Sequence, residues 1–246
     1  MRQPYRPSNL AYTLGPGPLT PAIKALVIAN VVGFLLALIV PELTLRLGLV
    51  PQAVVEQLQL WQPVTYMFLH GGIFHLLFNM LSLWMFGVEL EKMWGTAFFT
   101  KYYFVTGLGA AAAQILLGLV PGIGASMYYA VTIGASGAVF GVLLAYGMYF
   151  PDRPIYMYMI FPIPAKYFVM IMGAISLLSA SAGSGGVAHW AHLGGLVTGY
   201  LFLKGRRLQL SSEIQYRMSK WRLDRARRRF DVHRGGRTDD RDRWTH

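Results

Sequence analysis

From Ala22 to Val40 the chain runs nineteen residues with only Lys24 and Asn30 breaking an apolar sequence. At about 1.5 Å per residue, a helix of that length measures about 28 Å, enough to cross the hydrocarbon core of a bilayer. Five more apolar runs follow, near 71–90, 99–119, 134–150, 160–180 and 188–204. Pro121-Gly122, Pro151, Pro154 and the Gly183–Gly186 run punctuate them, as breakers between spans should. A cleaved signal peptide competes for the first run, but the run is long for one and no clear A-x-A site follows, so an anchor helix is the better reading. The connection from Pro41 to Gln62 carries Glu42, Arg46 and Glu56 and reads as a structured surface loop. The stretch from Trp61 to Leu69 then leads into the second run at the interface.

Composition agrees. Charged residues make up 13% of the chain, about half of what a soluble domain uses to coat itself. Disorder is excluded by the 54% hydrophobic content. The predicted fold class is all-α, a polytopic membrane protein with a six-transmembrane-helix bundle at 21–205. A Pro- and Gly-rich leader (1–20) precedes it and a basic tail (206–246) follows. From Lys204 onward there are fourteen Lys and Arg against six Asp and Glu, so most of the net charge of +11 belongs to the tail. Plain solvation or contact with anionic lipid is the expected role of that tail; with no recognition motif, no nucleic acid is expected as a partner. Arg2, Arg6, Lys24, Lys92, Lys101, Arg153, Lys166 and the tail fall on one side of the predicted spans, and only Arg46 on the other. The positive-inside rule then puts both termini in the cytoplasm.

There is no cysteine, which removes disulfides, thiolate metal sites and cysteine nucleophiles together. Ionisable and polar groups inside spans are costly and therefore functional candidates. They are His70, His75, His189 and His192, with Asn79 one helical turn after His75, and Ser136 in Gly134-Ala135-Ser136-Gly137. A serine hydroxyl needs a base to become a nucleophile, and histidine is the usual one; Ser136 and His192 offer that pair. His75, Asn79 and the Ser136 backbone N–H offer donors for an oxyanion. No carboxylate lies within the spans nearby, so the arrangement would be a dyad. Gly137 and Gly141 on one run, and Gly195 and Gly199 on another, give small-residue faces that let two helices pack closely. The plainer reading has His70 and His189 satisfied by backbone carbonyls at the membrane edge. A metal on His189 and His192 is weaker, because no carboxylate or thiolate accompanies them. The aromatic residues Trp84, Phe86, Trp94 and Phe98 to Phe104 read as lipid-facing packing and interface anchoring.

Over about residues 22–204 the chain resembles the rhomboid intramembrane serine proteases of the six-span bacterial type. The motifs that carry the resemblance are His70-Gly-Gly-Ile-Phe-His75-Leu-Leu-Phe-Asn79, Glu91-Lys-Met-Trp-Gly95, Gly134-Ala-Ser-Gly137 and Ala191-His192-Leu-Gly-Gly195-x-x-x-Gly199, in that order. The resemblance implies Ser136 as nucleophile and His192 as general base. It implies His75 and Asn79 as oxyanion stabilisers, His70 as a structural histidine at the mouth, and Gly195 and Gly199 as a close-packing face. It also implies a membrane-lying first loop, a flexible cap at Gly183 to Val187, no cofactor or metal, transmembrane proteins as substrates, and a cell (inner) membrane location. Two positions depart from the family pattern: Trp61-Gln62 replaces a common Trp-Arg, and Phe140 replaces a tyrosine that stacks on the base. Two other readings are a catalytically inactive relative that binds transmembrane helices and a proton-coupled transporter using buried histidines. The transporter reading lacks the internal repeat it should show.

Overall fold

The structure is a computed structural model that describes residues 16–121, 124–157, 161–181, 189–205 and 220. One compact unit extends to Phe202; of the second, Leu203–His246, only residues 203–205 and 220 are described. The tail apart from Lys220, the cap at Gly183 to Val187 and the first fifteen residues of the leader therefore lie outside the described residues.

The helices are α1 (Pro21–Ile39), α2 (Leu43–Leu47), α3 (Pro51–Glu56), α4 (Gln62–Thr65), α5 (Ile73–Ser82), α6 (Val88–Trp94), α7 (Thr96–Gly118), α8 (Ala125–Tyr128), α9 (Ser136–Tyr149), α10 (Ala165–Ser181) and α11 (residues 189–205). A π-helical segment, Leu83–Gly87, joins α5 to α6, so the second apolar run is continuous helix to Trp94. It stops at Gly95, where φ is +81°, a conformation that suits glycine. Among the described residues two helical runs, Pro21–Ile39 and Ile73–Trp94, are by themselves long and apolar enough to cross a membrane.

α9 forms the centre of the bundle. Every residue from Gly137 to Leu143 is buried, which no helix on the surface of a bundle could show. Around it the polarity is that of a molecule in lipid. Leu35, Leu38 and Ile39 of α1, Phe74, Leu77 and Phe78 of α5, and Met170, Ile175 and Leu177 of α10 all face outward. A contiguous apolar exterior of that extent is not carried by a soluble monomer.

Several sequence expectations change here. The fifth apolar run is not helical from residue 160. Its first part, β2 (Phe161–Pro164), pairs antiparallel with β1 (Pro154–Met157), so a small hairpin joins the otherwise all-helical bundle. Pro162 and Pro164 explain it, since proline removes a backbone donor and drives the preceding residue toward extended conformations. The aromatic stripe is core rather than lipid-facing. Phe86, Phe99, Tyr102 and Tyr103 are buried, and Trp94 packs edge-on against Phe98, Tyr102 and Tyr149. Bulky rings fill the space between helices wherever small residues do not close it.

The end of the leader is tied down. Trp84 Nε1 donates to the Gly17 carbonyl (2.9 Å) and Lys92 Nζ to that of Pro16 (2.9 Å). Glu91, 2% exposed, accepts the N–H groups of Ala22 (2.9 Å) and Ile23 (3.1 Å) and the hydroxyls of Thr20 and Thr96. Its carboxylate thus caps α1 from 68 residues or more away in sequence, satisfying N–H groups that have no partner within the helix and opposing the helix dipole. We expect Glu91→Ala to lower stability in detergent by about 1.5–3 kcal/mol, the usual loss for hydrogen bonds to a charged group. An unchanged Tm would show that α1 holds without this cap.

The first loop is ordered by its polar residues. Gln62 is fully buried; its Oε1 accepts the Val50 N–H (2.9 Å) and its Nε2 donates to Gln59 Oε1 (2.8 Å). Trp61 Nε1 donates to the Arg46 carbonyl (2.9 Å). A buried amide, that of Gln62, therefore anchors the loop.

Candidate active site

Ser136 is the first residue of α9, following a tight approach through Gly134 and Ala135. Gly134 has φ +126°, and a Cβ there would also stand 2.8 Å from His75 Nε2. Both facts require glycine at this position. Two residues earlier, Leu49 and Thr132 exchange backbone hydrogen bonds (2.9 and 2.8 Å), while Gly134 N–H donates to the Tyr66 carbonyl (2.9 Å). Gln114 of α7 donates to the Thr132 hydroxyl, and Tyr66 donates to the Gly107 carbonyl (2.8 Å). The segment entering Ser136 is thus held by the first loop, by α7 and by Tyr66 at once.

His192 Nε2 lies 2.8 Å from Ser136 Oγ. The Phe140 ring, one turn along α9 from Ser136, stacks on the His192 imidazole with centroids 4.1 Å apart and planes 4° apart. Stacking survives without a hydroxyl because it needs only the ring face. Glycines bring the two helices together. A Cβ on Gly195 would fall 1.9 Å from the Gly137 carbonyl oxygen, and one on Gly199 would lie 2.5 Å from the Tyr102 hydroxyl and 3.4 Å from the Gly141 Cα. Overpacking of this kind costs typically about 1–3 kcal/mol and sometimes more. Gly195→Ala should therefore lower Tm, and it should slow labelling of Ser136 by a serine-reactive probe, because α11 must back away from α9. Unchanged Tm and labelling would mean that the contact can relax without moving His192.

The remaining candidates surround this pair. His75 lies against Gly134, on the Ser136 side of α5. Asn79 is buried; its Nδ2 donates to the His75 carbonyl (2.8 Å), leaving a second N–H on that nitrogen, and its Oδ1 has no partner. His70 is buried edge-on to His75, with centroids 4.9 Å apart. Neither of its ring nitrogens has a hydrogen-bond partner, so it is not satisfied by backbone carbonyls as the sequence suggested. The ring is held by packing instead. His189 sits edge-on to His192 at 5.8 Å, and its Nδ1 also lacks a partner. Among the described residues no carboxylate joins the cluster. Among the described residues no three His, Cys, Asp or Glu side chains gather to hold a metal ion.

Sequence reasoning missed Tyr66, Thr132, Gln114 and Glu91 as supports. Gln114 had a signal, being an amide inside the apolar run Ala110 to Gly118. Thr132 had none, since threonine is ordinary in a loop.

The fold and this site define a membrane-embedded helical bundle with a serine and a histidine in contact near its centre. The rhomboid domain model matches residues 57–206, and the chain belongs to the rhomboid family. "RHOMBOID-like protein 2" of Arabidopsis thaliana is 29% identical over 180 residues, 73% of this chain and 52% of that protein. "Rhomboid protein 1, mitochondrial" of Saccharomyces cerevisiae is 33% identical over 138 residues, 55% of this chain and 38% of that protein. "Rhomboid protease GluP" of Bacillus subtilis is 32% identical over 102 residues, 42% of this chain and 18% of that protein. The chain thus spans about half or less of the length of these curated relatives.

Proposed function

We propose that the protein is an intramembrane serine endopeptidase that hydrolyses peptide bonds in or near transmembrane segments of other membrane proteins. The observation that carries this reading is the 2.8 Å approach of His192 Nε2 to Ser136 Oγ, within the hydrogen-bond reach that a base and its nucleophile need. His192 Nε2 takes the hydroxyl proton as Oγ attacks the carbonyl carbon. The oxyanion of the tetrahedral intermediate then accepts from the Ser136 N–H, from His75 and from the second N–H of Asn79. His192 passes its proton to the leaving amine as the C–N bond breaks, giving an acyl-enzyme ester on Ser136. Water, deprotonated by His192, attacks the ester and restores both side chains. Uncapped N–H groups at the start of α9, where Ala135 supplies no side-chain acceptor, favour negative charge at this point.

Helix length supports a reaction within the membrane. Fourteen residues of α9 give about 21 Å, short of the ~30 Å hydrocarbon core, so a helix reaching one interface at Tyr149 starts below the other. Irregular backbone at that depth is tolerated only where protein encloses it or water reaches it, and residues 132–135 are enclosed as described above. The placement we adopt is six crossings of a bacterial cell membrane by 21–205, with both termini and the basic tail cytoplasmic, as the distribution of Lys and Arg favours.

A fluorophosphonate probe tests the assignment, since it reacts only with an activated serine. The expected result is labelling at Ser136 in the purified protein, lost in Ser136→Ala, together with cleavage of a transmembrane test substrate. Absence of both in folded protein would favour an inactive helix-binding relative. Proton-coupled solute uptake by proteoliposomes, without labelling, would favour a transporter.

A further inference from the structure

The hairpin between α9 and α10 has no polar face. Opposed residues of an antiparallel pair share a face and successive residues alternate. Tyr156 and Pro162 are opposed on one face, and Ile155 and Ile163 on the other, where Phe161 also lies. Ile155, near the base, is 6% exposed, whereas Tyr156 is 58% and Phe161 65% exposed. From Pro154 to Pro164 the sequence holds no charged residue. A hairpin standing in water keeps one face polar, and an isolated pair of strands is at best marginally stable there.

Charges collect at its base instead. Arg153 pairs with Glu89 and lies 5.1 Å over the Phe150 ring, and Lys166 bonds to Asp152 at 2.7 Å. α10 begins at Ala165, directly after β2, so the hairpin is continuous with the apolar outer surface that carries Tyr167 and Met170. Four residues per strand extend about 13 Å. Upright, the hairpin would carry Phe161 beyond the ring of charges into water.

The geometry points to a bilayer-anchoring hairpin: residues 154–157 and 161–164 run along the membrane interface beside the first turn of α10, with the ribbon edge-on to the membrane plane, so that Tyr156 on one face and Phe161 on the other are both sunk among the lipids. The partner is the lipid of that leaflet, at the headgroup–acyl boundary where aromatic residues concentrate. Neither serine chemistry nor any activity enters this inference.

The absence of cysteine makes the test direct. Single-cysteine variants Tyr156→Cys, Phe161→Cys, Asp152→Cys and Met170→Cys of the full chain are spin-labelled and reconstituted into liposomes. Collisions with oxygen, which concentrates in lipid, are compared with those of a water-soluble nickel chelate. Labels at 156 and 161 should show an oxygen-to-nickel ratio severalfold above that at 152 and at or below that at 170. A ratio equal to that at 152 would overturn the proposal, since the hairpin would stand in water. Protection from both reagents would also overturn it, in favour of a covering protein or a second copy. Should a variant fail to fold, crosslinking of the unmodified protein with a photoactivatable phospholipid reads the same contact. Adducts on Tyr156 and Phe161 support the anchor, and adducts confined to α5 and α10 refute it.

Discussion

Ser136→Ala is expected to abolish cleavage of a transmembrane substrate while the protein remains folded in detergent, and His192→Ala to do the same. The loss should be on the order of 10⁶-fold, the scale seen when one member of a serine–histidine unit is removed. The double variant should be little worse than either single one, because two groups that share a proton and stand 2.8 Å apart act as one. Ser136→Ala removes one half-exposed hydroxyl and should leave Tm nearly unchanged, so lost activity cannot be attributed to unfolding. Undiminished turnover by purified Ser136→Ala would remove the protease assignment altogether. Equal, additive losses would instead mean that Ser136 and His192 act in separate steps.

The second large effect is at Asn79. Replacing it with alanine should lower kcat by about 10²–10³-fold, the usual consequence of losing one oxyanion donor, with KM changed far less. Its Nδ2 already donates to the His75 carbonyl (2.8 Å), so one N–H remains for the substrate, and His75 beside it can soften the loss. Asn79→Asp tests the sign of the interaction, because it substitutes a carboxylate for a donor next to a developing negative charge; it should be at least as damaging. A raised KM with kcat intact in Asn79→Ala would make the residue a binding or packing group.

Much of the bundle is legible without coordinates. Runs of apolar residues placed five of the helices to within a few residues, and the costly polar groups within them singled out Ser136, His192, His75 and Asn79. What hydropathy could not do was tell inward from outward. In water an apolar residue faces the core; in a bilayer, lipid and core are equally apolar, so the aromatic stripe from Trp84 to Phe104 gave no sign that Phe99, Tyr102 and Tyr103 are buried between helices. Likewise, Glu91 stood out as a charge near the end of an apolar run but carried no mark of the α1 terminus that it caps.

By itself, then, the sequence determined the class of the protein: a chain too apolar for water, crossing a membrane repeatedly, with a serine and a histidine set in spans where neither is cheap to place. Tertiary structure alone decided that these two groups meet, 56 positions apart in the chain, because contact depends on Gly195 lying against the Gly137 carbonyl and on residues 132–134 being held by Leu49, Gln114 and Tyr66. It also decided that the segment made extended by Pro162 and Pro164 pairs with residues 154–157 as a hairpin. The physical reason is common to both. Local sequence sets conformational preference and the cost of leaving water, whereas separations of a few ångströms between helices follow from the packing of side chains that are distant in sequence.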